Sequence, residues 1–299
     1  MLSRLQAVTF AAACAALLAP QWAAAQDARQ DTTRDPIALN WDKVVSEDAA
    51  FESEGVTMHG GLYTVPGTAP RAAIVLVHGS PSTERMDGFA RLFATQGFAV
   101  LTWDKRGVGE SGGVDAGPYS VAPENLALLA ADAAAAMRFL EQRPELAGLP
   151  LGYWGISQAG WVAPMAAVQT PQADFITLWS GPVYTVTEEL EQGLINDPTQ
   201  ADPEAVREFI GRLREAGADP DPRDALRQLS IPGLWIFGTE DVVVAPALSI
   251  ERLQGLIDAG QTQFEYYMNE DGEHDLNLEL DRAVFDGMVT WMLAQPNGG

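Results

Sequence analysis

"LGYWGISQAGWVAP", residues 151–164, sets one serine, Ser157, between an apolar run and a run of small residues. Leu151–Ile156 has strand length and no polar face, the pattern of a buried parallel strand. Gln158–Gln169 reads as a helix. A residue shared by the end of a buried strand and the start of a helix must turn the chain within very little space. Small residues two places either side, Gly155 and Ala159, provide that space, and Gly160 follows. A turn of this kind strains the serine backbone and lifts its Oγ to the edge of the sheet. The usual spacing is G-x-S-x-G; Ala159 stands in for the last glycine, and a methyl group is tolerable there.

The same alternation extends in both directions. "AAIVLVH" (72–78), "FAVLTWD" (98–104), "FITLWSG" (175–181), "GLWIFG" (233–238) and "FEYYM" (264–268) all read as buried strands. Helical segments fall between them: 84–96, the alanine-rich 125–142, 246–259 and 282–293. Upstream, "FESEGVTMHGGLYTVPG" carries a hairpin signal around His59-Gly60-Gly61. Strands alternating with helices after a hairpin predict an α/β fold, a mainly parallel sheet with helices on both faces. Residues 182–230 interrupt the pattern with an acidic insertion. Asp202 and Pro203 form an N-cap and first-turn pair there, Val206, Phe209, Ile210 and Leu213 share a face, and Gly217 ends the helix. Such an insertion between two core strands predicts a small helical cap over the sheet's C-terminal edge.

Residues 1–25 read as a secretory signal: Arg4, a short apolar run and an A-x-A site, with cleavage expected after Ala25. The run is too short to span a bilayer, and no second long apolar segment follows. Export to a bacterial periplasm or the medium is the expectation, with residues 26–50 a flexible leader and the folded domain at 51–299. The single cysteine, Cys14, lies inside the signal, so the exported chain holds no disulfide. Acidic residues number 41 against 18 basic, a formal charge of -23 at pH 7. That surface argues against nucleic acid and anionic membranes as partners. No metal-spaced Cys/His cluster occurs, and "RGVGESGG" lacks the G-K-[ST] ending of a phosphate loop. No cofactor or metal is expected, and the partner is a small-molecule substrate.

A serine hydroxyl needs a base to become a nucleophile. Three histidines are available. His59 reads as an exposed turn residue, and His78 as a shaper of the loop after its strand. His274, in "NEDGEHDLN" after the last strand, is the expected general base. It needs a carboxylate to hold its tautomer. Asp241, directly after "LWIFGTE", is preferred to Glu240, and Asp275 reads as a solvated neighbour. Backbone amides of Gln158 and Ser80 are the expected oxyanion donors. Asp104, Lys105 and Arg106 could meet an acidic substrate group, but structuring of their own loop is the preferred reading. Trp161 is wall or core, with a place beside an acyl pocket left open.

"VLVHGSP", "LTWDKRGVGESGG", "GISQAGW", "IPGLWIFGTEDVVV" and "GEHD" together resemble the landmarks of the α/β-hydrolase fold serine hydrolases, in the same order, from about Phe51 to Leu293. The esterase and peptidase-like bacterial branch is the most similar. The resemblance implies a triad of Ser157, Asp241 and His274, with Ser80 and Gln158 at the oxyanion hole. It also implies cleavage of carboxylic esters with short acyl groups. Two alternatives stay open: a peptidase or amidase using the same residues, with Glu188 or Glu189 binding a cationic terminus, and a binding protein on a hydrolase scaffold.

Overall fold

The computed structural model describes residues 41–117, 120–196, 202–277 and 281–298. The expected signal, residues 1–25, and most of the expected leader lie outside them. Eight strands form one sheet: β1 (Val45–Ser53), β2 (Val56–Thr64), β3 (Ala72–Val77), β4 (Phe98–Trp103), β5 (Leu151–Ile156), β6 (Phe175–Trp179), β7 (Gly233–Gly238) and β8 (Phe264–Asn269). Their spatial order is β1-β2-β4-β3-β5-β6-β7-β8. The β1–β2 and β2–β4 pairs are antiparallel, and the rest of the sheet is parallel.

Every residue of β3 to β7 is buried, as strands without a polar face require. Their side chains divide between two layers. Ala73, Val75 and Val77 pack with α2 (Pro123–Glu141) and α3 (Ala159–Val168). Ala72, Ile74 and Leu76 pack with α1 (Asp87–Thr95) and, at the chain's end, Arg282–Leu293. The alanines of α2, Ala130, Ala133, Ala134 and Ala136, are wholly buried and let α2 approach both the sheet and α3.

Between β6 and β7 lie α4 (Val186–Asn196), α5 (Pro203–Ala216) and α6 (Pro222–Leu226), the helical cap expected over residues 182–230. Asp202 caps α5 by accepting from the Glu204 and Ala205 amides (3.0 and 3.3 Å), and Gly217 ends it at φ 60°. Two further helices complete the fold, α7 (Pro246–Asp258) and α8 (Arg282–Leu293).

Three expectations need correction. The hairpin is present, but its turn is Glu54-Gly55, at φ 47° and 75°, and not His59-Gly60-Gly61. Two consecutive positive φ angles suit the tight turn that matches strand twist. Gly60 is instead inside β2, where a Cβ would lie 2.2 Å from the Thr102 carbonyl oxygen of β4. His59 is therefore a strand residue, opposite Ala50, and its amide donates to Ser111 Oγ (2.9 Å). The expected leader also ends too late: β1 begins at Val45 and pairs with β2 along its whole length. Finally, the helix expected from Glu84 starts at Asp87. The Arg85 and Met86 amides are already engaged by Asp104 Oδ1 (2.9 Å) and Thr102 Oγ1 (3.0 Å) at the end of β4.

The close approach at Gly60 yields a test. Gly60→Ala must part β2 from β4, at a cost of about 1–3 kcal/mol, and thermal unfolding should show a Tm lower by several degrees. Gly193→Ala on α4, where an added Cβ meets nothing within 4 Å, should leave Tm unchanged or slightly raised.

Candidate active site

Ser157 directly follows β5, with only Gln158 between it and the first turn of α3, and its φ is 57°. That left-handed conformation is costly for a residue with a Cβ. Neighbours hold it in place. The Ser157 amide donates to the Trp179 carbonyl at the end of β6 (3.1 Å), and the Ser157 carbonyl accepts from Gly160 (2.8 Å). A Cβ on Gly155 would stand 2.3 Å from the Ala159 Cβ, and one on Gly160 would meet Pro182 and Gly181 at 2.5–2.7 Å. Gly155 thus gives Ala159 the room its methyl needs, which explains how alanine is accommodated at that place.

Asp241 and His274 come from loops after the adjacent strands β7 and β8. Those loops are stitched together: Thr239 donates to the Asn269 carbonyl (3.0 Å), and Glu240 to the Gly272 carbonyl (2.9 Å). Only glycine fits at position 238, where a Cβ would lie 2.2 Å from the Gly272 oxygen. His274 Nδ1 sits 3.1 Å from Asp241 Oδ1 and 3.0 Å from Oδ2. Asp241 Oδ1 also accepts from the Val243 and Val244 amides (both 2.9 Å), which fixes the carboxylate. With Nδ1–H donated to Asp241, Nε2 is left as the basic nitrogen. The Asp241 side chain is wholly buried, whereas His274 keeps 17% of its side chain exposed. Glu240 is exposed and bonds through its backbone, so the alternative acid does not reach the histidine.

Ser157, Ser80 and His274 share one cavity of about 840 Å³. Its apolar wall comes from Trp41, Met86, Phe89, Leu92, Val243 and Leu276. Among the described residues no hydrogen bond joins Ser157 Oγ to His274, whose Nδ1 is bonded to Asp241. Gln158 is buried behind Ser157, its side chain held by Lys105 Nζ (2.9 Å) and the Ser120 carbonyl (2.9 Å). Neither the Ser80 nor the Gln158 amide is engaged by a protein acceptor among the described residues. Both are thus available as donors, Gln158 as the residue before the first turn of α3.

Burial is the largest influence on His274 and lowers its pKa. The hydrogen bond and charge of Asp241, with Asp275 and Glu189 farther out, outweigh it and leave the imidazole above its ordinary 6.5. His78 is the opposite case. Burial, then the charge of Lys105, push it down to about 4, and it stacks edge-on against Trp103 (5.0 Å) outside the cavity wall.

Charge in the loop after β4 is used for structure. Asp104 binds Arg85 (3.0 Å) and the Glu110 amide (3.0 Å), and Arg106 forms a buried pair with Asp132 of α2. Trp161 does not reach the cavity of Ser157. Its Nε1 donates to the Tyr184 carbonyl (2.9 Å), and its ring lines a separate 450 Å³ cleft under the cap. Glu188 is engaged by Arg252 (2.9 Å) and the Thr185 amide (2.8 Å). Glu189 is hydrogen-bonded to the Tyr184 hydroxyl, which also accepts from the Ala245 amide (2.9 Å), and burial pushes the Glu189 carboxyl up to about 7. Sequence reasoning missed the apolar wall. Met86, Phe89 and Leu92 recur at intervals of three and could have signalled one helix face. Trp41 gave no signal.

The sheet, its flanking helices and this cavity at the strand ends define the α/β-hydrolase fold. The chain belongs to the family described as serine aminopeptidase, S33, whose model matches residues 68–220. Solved structures similar in fold include an esterase of Pyrococcus furiosus, at TM-score 0.67 and 18% identity over 89% of this chain and 96% of that one. An acylaminoacyl peptidase of Pyrococcus horikoshii aligns at TM-score 0.63 and 17% identity, over 89% of this chain and 44% of its own. In sequence, the chain is 32% identical over 130 residues to a thiohydrolase, aneE, of Aspergillus aculeatus, covering 43% of this chain and 39% of that protein. A polyketide transferase, claH, of Penicillium crustosum is 27% identical over 148 residues, covering 48% and 46%. The chain thus spans less than half the length of the curated relatives it matches.

With three histidines in the chain, an NMR titration can follow His274 directly. Its midpoint should lie above 6.5 and that of His78 near 4. Asp241→Asn removes the largest influences that raise His274 and leaves burial opposed only by Asp275 and Glu189, so the His274 midpoint should fall while His78 stays unmoved.

Proposed function

We propose that the protein is a serine hydrolase that cleaves carboxylic esters by acyl transfer through Ser157, with His274 as general base and Asp241 as its orienting carboxylate. One observation carries the reading: Ser157, held at positive φ on the strand-to-helix turn, opens into the same cavity as a histidine bonded through Nδ1 to a buried aspartate. In the first step Ser157 Oγ attacks the ester carbonyl and gives its proton to His274 Nε2. The carbonyl electrons move to oxygen, and the resulting oxyanion is met by the Ser80 and Gln158 amides. His274 then protonates the leaving alcohol. Water enters, loses a proton to His274, attacks the acyl carbonyl and releases the acid with Ser157 restored.

The apolar wall suits the hydrocarbon part of an acyl group. A cavity of about 840 Å³ exceeds what acetyl fills, so among short acyl groups butyryl and hexanoyl esters should be turned over faster than acetyl. The family description favours a second reading, aminopeptidase or amidase chemistry on the same residues. Glu188, however, is already taken up by arginine, and neither Glu188 nor Glu189 lines the cavity of Ser157. Export through residues 1–25 belongs to the same proposal, and N-terminal sequencing of secreted protein should begin at Gln26.

The deciding measurement is kcat/KM on an ester and an amide sharing one butyryl group. Ester turnover should dominate by orders of magnitude, and comparable amide turnover would move the assignment to peptidase. Ser157→Ala should lose about 10³-fold or more of kcat and resist labelling by a fluorophosphonate. Because the neutral imidazole is the base, kcat/KM should fall as pH drops through a midpoint above 6.5. A profile flat down to pH 5 would remove His274 from the role.

A further inference from the structure

Lys105 is an ammonium group buried at 3% exposure, and among the described residues it forms no ion pair. Its neighbours in the chain behave differently, since Asp104 and Arg106 each have a partner of opposite charge. Asp115 acts on it through space without a bond, and burying a charge without a bonded counter-charge costs solvation energy that an apolar residue of similar length would not incur. The acceptors of Lys105 Nζ are neutral: the carbonyls of Gly79 (2.7 Å), Ser80 (3.0 Å) and Pro81 (3.4 Å), and Gln158 Oε1 (2.9 Å). These residues bear, or border, both of the free amides beside Ser157.

Peptide geometry turns this contact list into an orientation. The described chain has no cis peptide bond. In a trans peptide the C=O of one residue and the N–H of the next point in opposite directions. With the Gly79 carbonyl directed at Lys105, the Ser80 N–H must point away from it, and Ser80 is on the wall of the cavity that holds Ser157. The second bond fixes the other side. Gln158 Oε1 is bound to Lys105 and Nε2 to the Ser120 carbonyl, so the side chain cannot fold back over its own amide. One ammonium therefore spans the loop after β3 and the residue after Ser157, which reach the site from different strands.

We propose that Lys105 is a positioning residue for the oxyanion hole, holding the Ser80 and Gln158 amides in register for the developing negative charge. The inference rests on the acyl-transfer reading of Ser157. Lys105 touches no reacting atom. Its effect should appear when the carbonyl oxygen becomes an oxyanion, and hardly at all in ground-state binding. Burial lowers its pKa to about 8, which keeps it charged at neutral pH.

The test compares the full chain with Lys105→Met and Gln158→Met on p-nitrophenyl butyrate. It also measures inhibition by an aryl trifluoromethyl ketone, whose serine adduct carries an oxyanion. Direct loss of one oxyanion donor costs about 10²–10³-fold. Acting through the backbone, Lys105→Met should lower kcat by about 10- to 100-fold, leave KM within about threefold and weaken ketone affinity in parallel with kcat. Gln158→Met, which leaves Lys105 its three carbonyls, should show the same pattern at about 3- to 10-fold. The double variant should be no worse than Lys105→Met alone, since both act through one link. If Lys105→Met does not fold, Gln158→Met decides alone: kcat within twofold of the parent overturns the proposal. So does a loss of kcat in either variant without a matching loss of ketone affinity. Failure of the acyl-transfer reading has a separate signature, an active Ser157→Ala and an unlabelled parent enzyme, and that result would also overturn the role of Lys105.

Discussion

The reversal of the chain at Ser157 is the constraint on which the site depends. A strand buried on both faces must become a helix within two residues, and the serine accepts a left-handed φ of 57° to do so. Such strain persists only where the surroundings over-determine it. Here the Trp179 carbonyl holds the Ser157 amide, Gly155 makes room for Ala159, and Gly160 lets α3 close on Gly181 and Pro182. Much of the neighbouring geometry follows from that tight contact. β5 and β6 must sit side by side for Trp179 to reach Ser157, and the cap must begin immediately after β6.

Around this turn the protein arranges two kinds of support. On one side, paired loops after β7 and β8 bring Asp241 against His274, with the Val243 and Val244 amides immobilising the carboxylate. On the other, the loop after β4 distributes three consecutive charged side chains to three places. Asp104 binds Arg85 just before α1, Lys105 binds the loop after β3 together with Gln158, and Arg106 binds Asp132 in α2. A loop with three charges in a row would ordinarily be solvated. In this fold all three are buried, because each meets a different layer.

The cap shares in the support through Tyr184. Its hydroxyl donates to Glu189 of α4 and accepts from Ala245, just beyond the Asp241 turn. The Tyr184 carbonyl meanwhile accepts from Trp161 of α3. One residue at the entrance to the cap thus touches both the helix after Ser157 and the loop behind Asp241. Burial and the nearby carboxylate both raise the Tyr184 phenol's pKa, so it remains a donor across the working pH range.

Local information determined the parallel strands, the α2 and α3 helices, the caps at Asp202 and Gly217, and the turn at Ser157. These follow from properties a short window contains: apolar runs, small residues near a serine, an Asp-Pro start and a glycine stop. The placement of Ser157, Asp241 and His274 at the ends of three strands was legible for the same reason, since each stood after a recognisable strand. Other features were decided only by tertiary structure. Gly60 looked like a turn glycine, because a glycine needed for close strand contact is indistinguishable locally from one needed for positive φ. Arg85 and Met86 looked helical, because nothing nearby in the chain shows that Asp104 and Thr102 will claim their amides. Lys105 read as one more loop charge. Its four acceptors are 24 to 53 positions away in the chain, and only the folded sheet brings them within reach of one ammonium group.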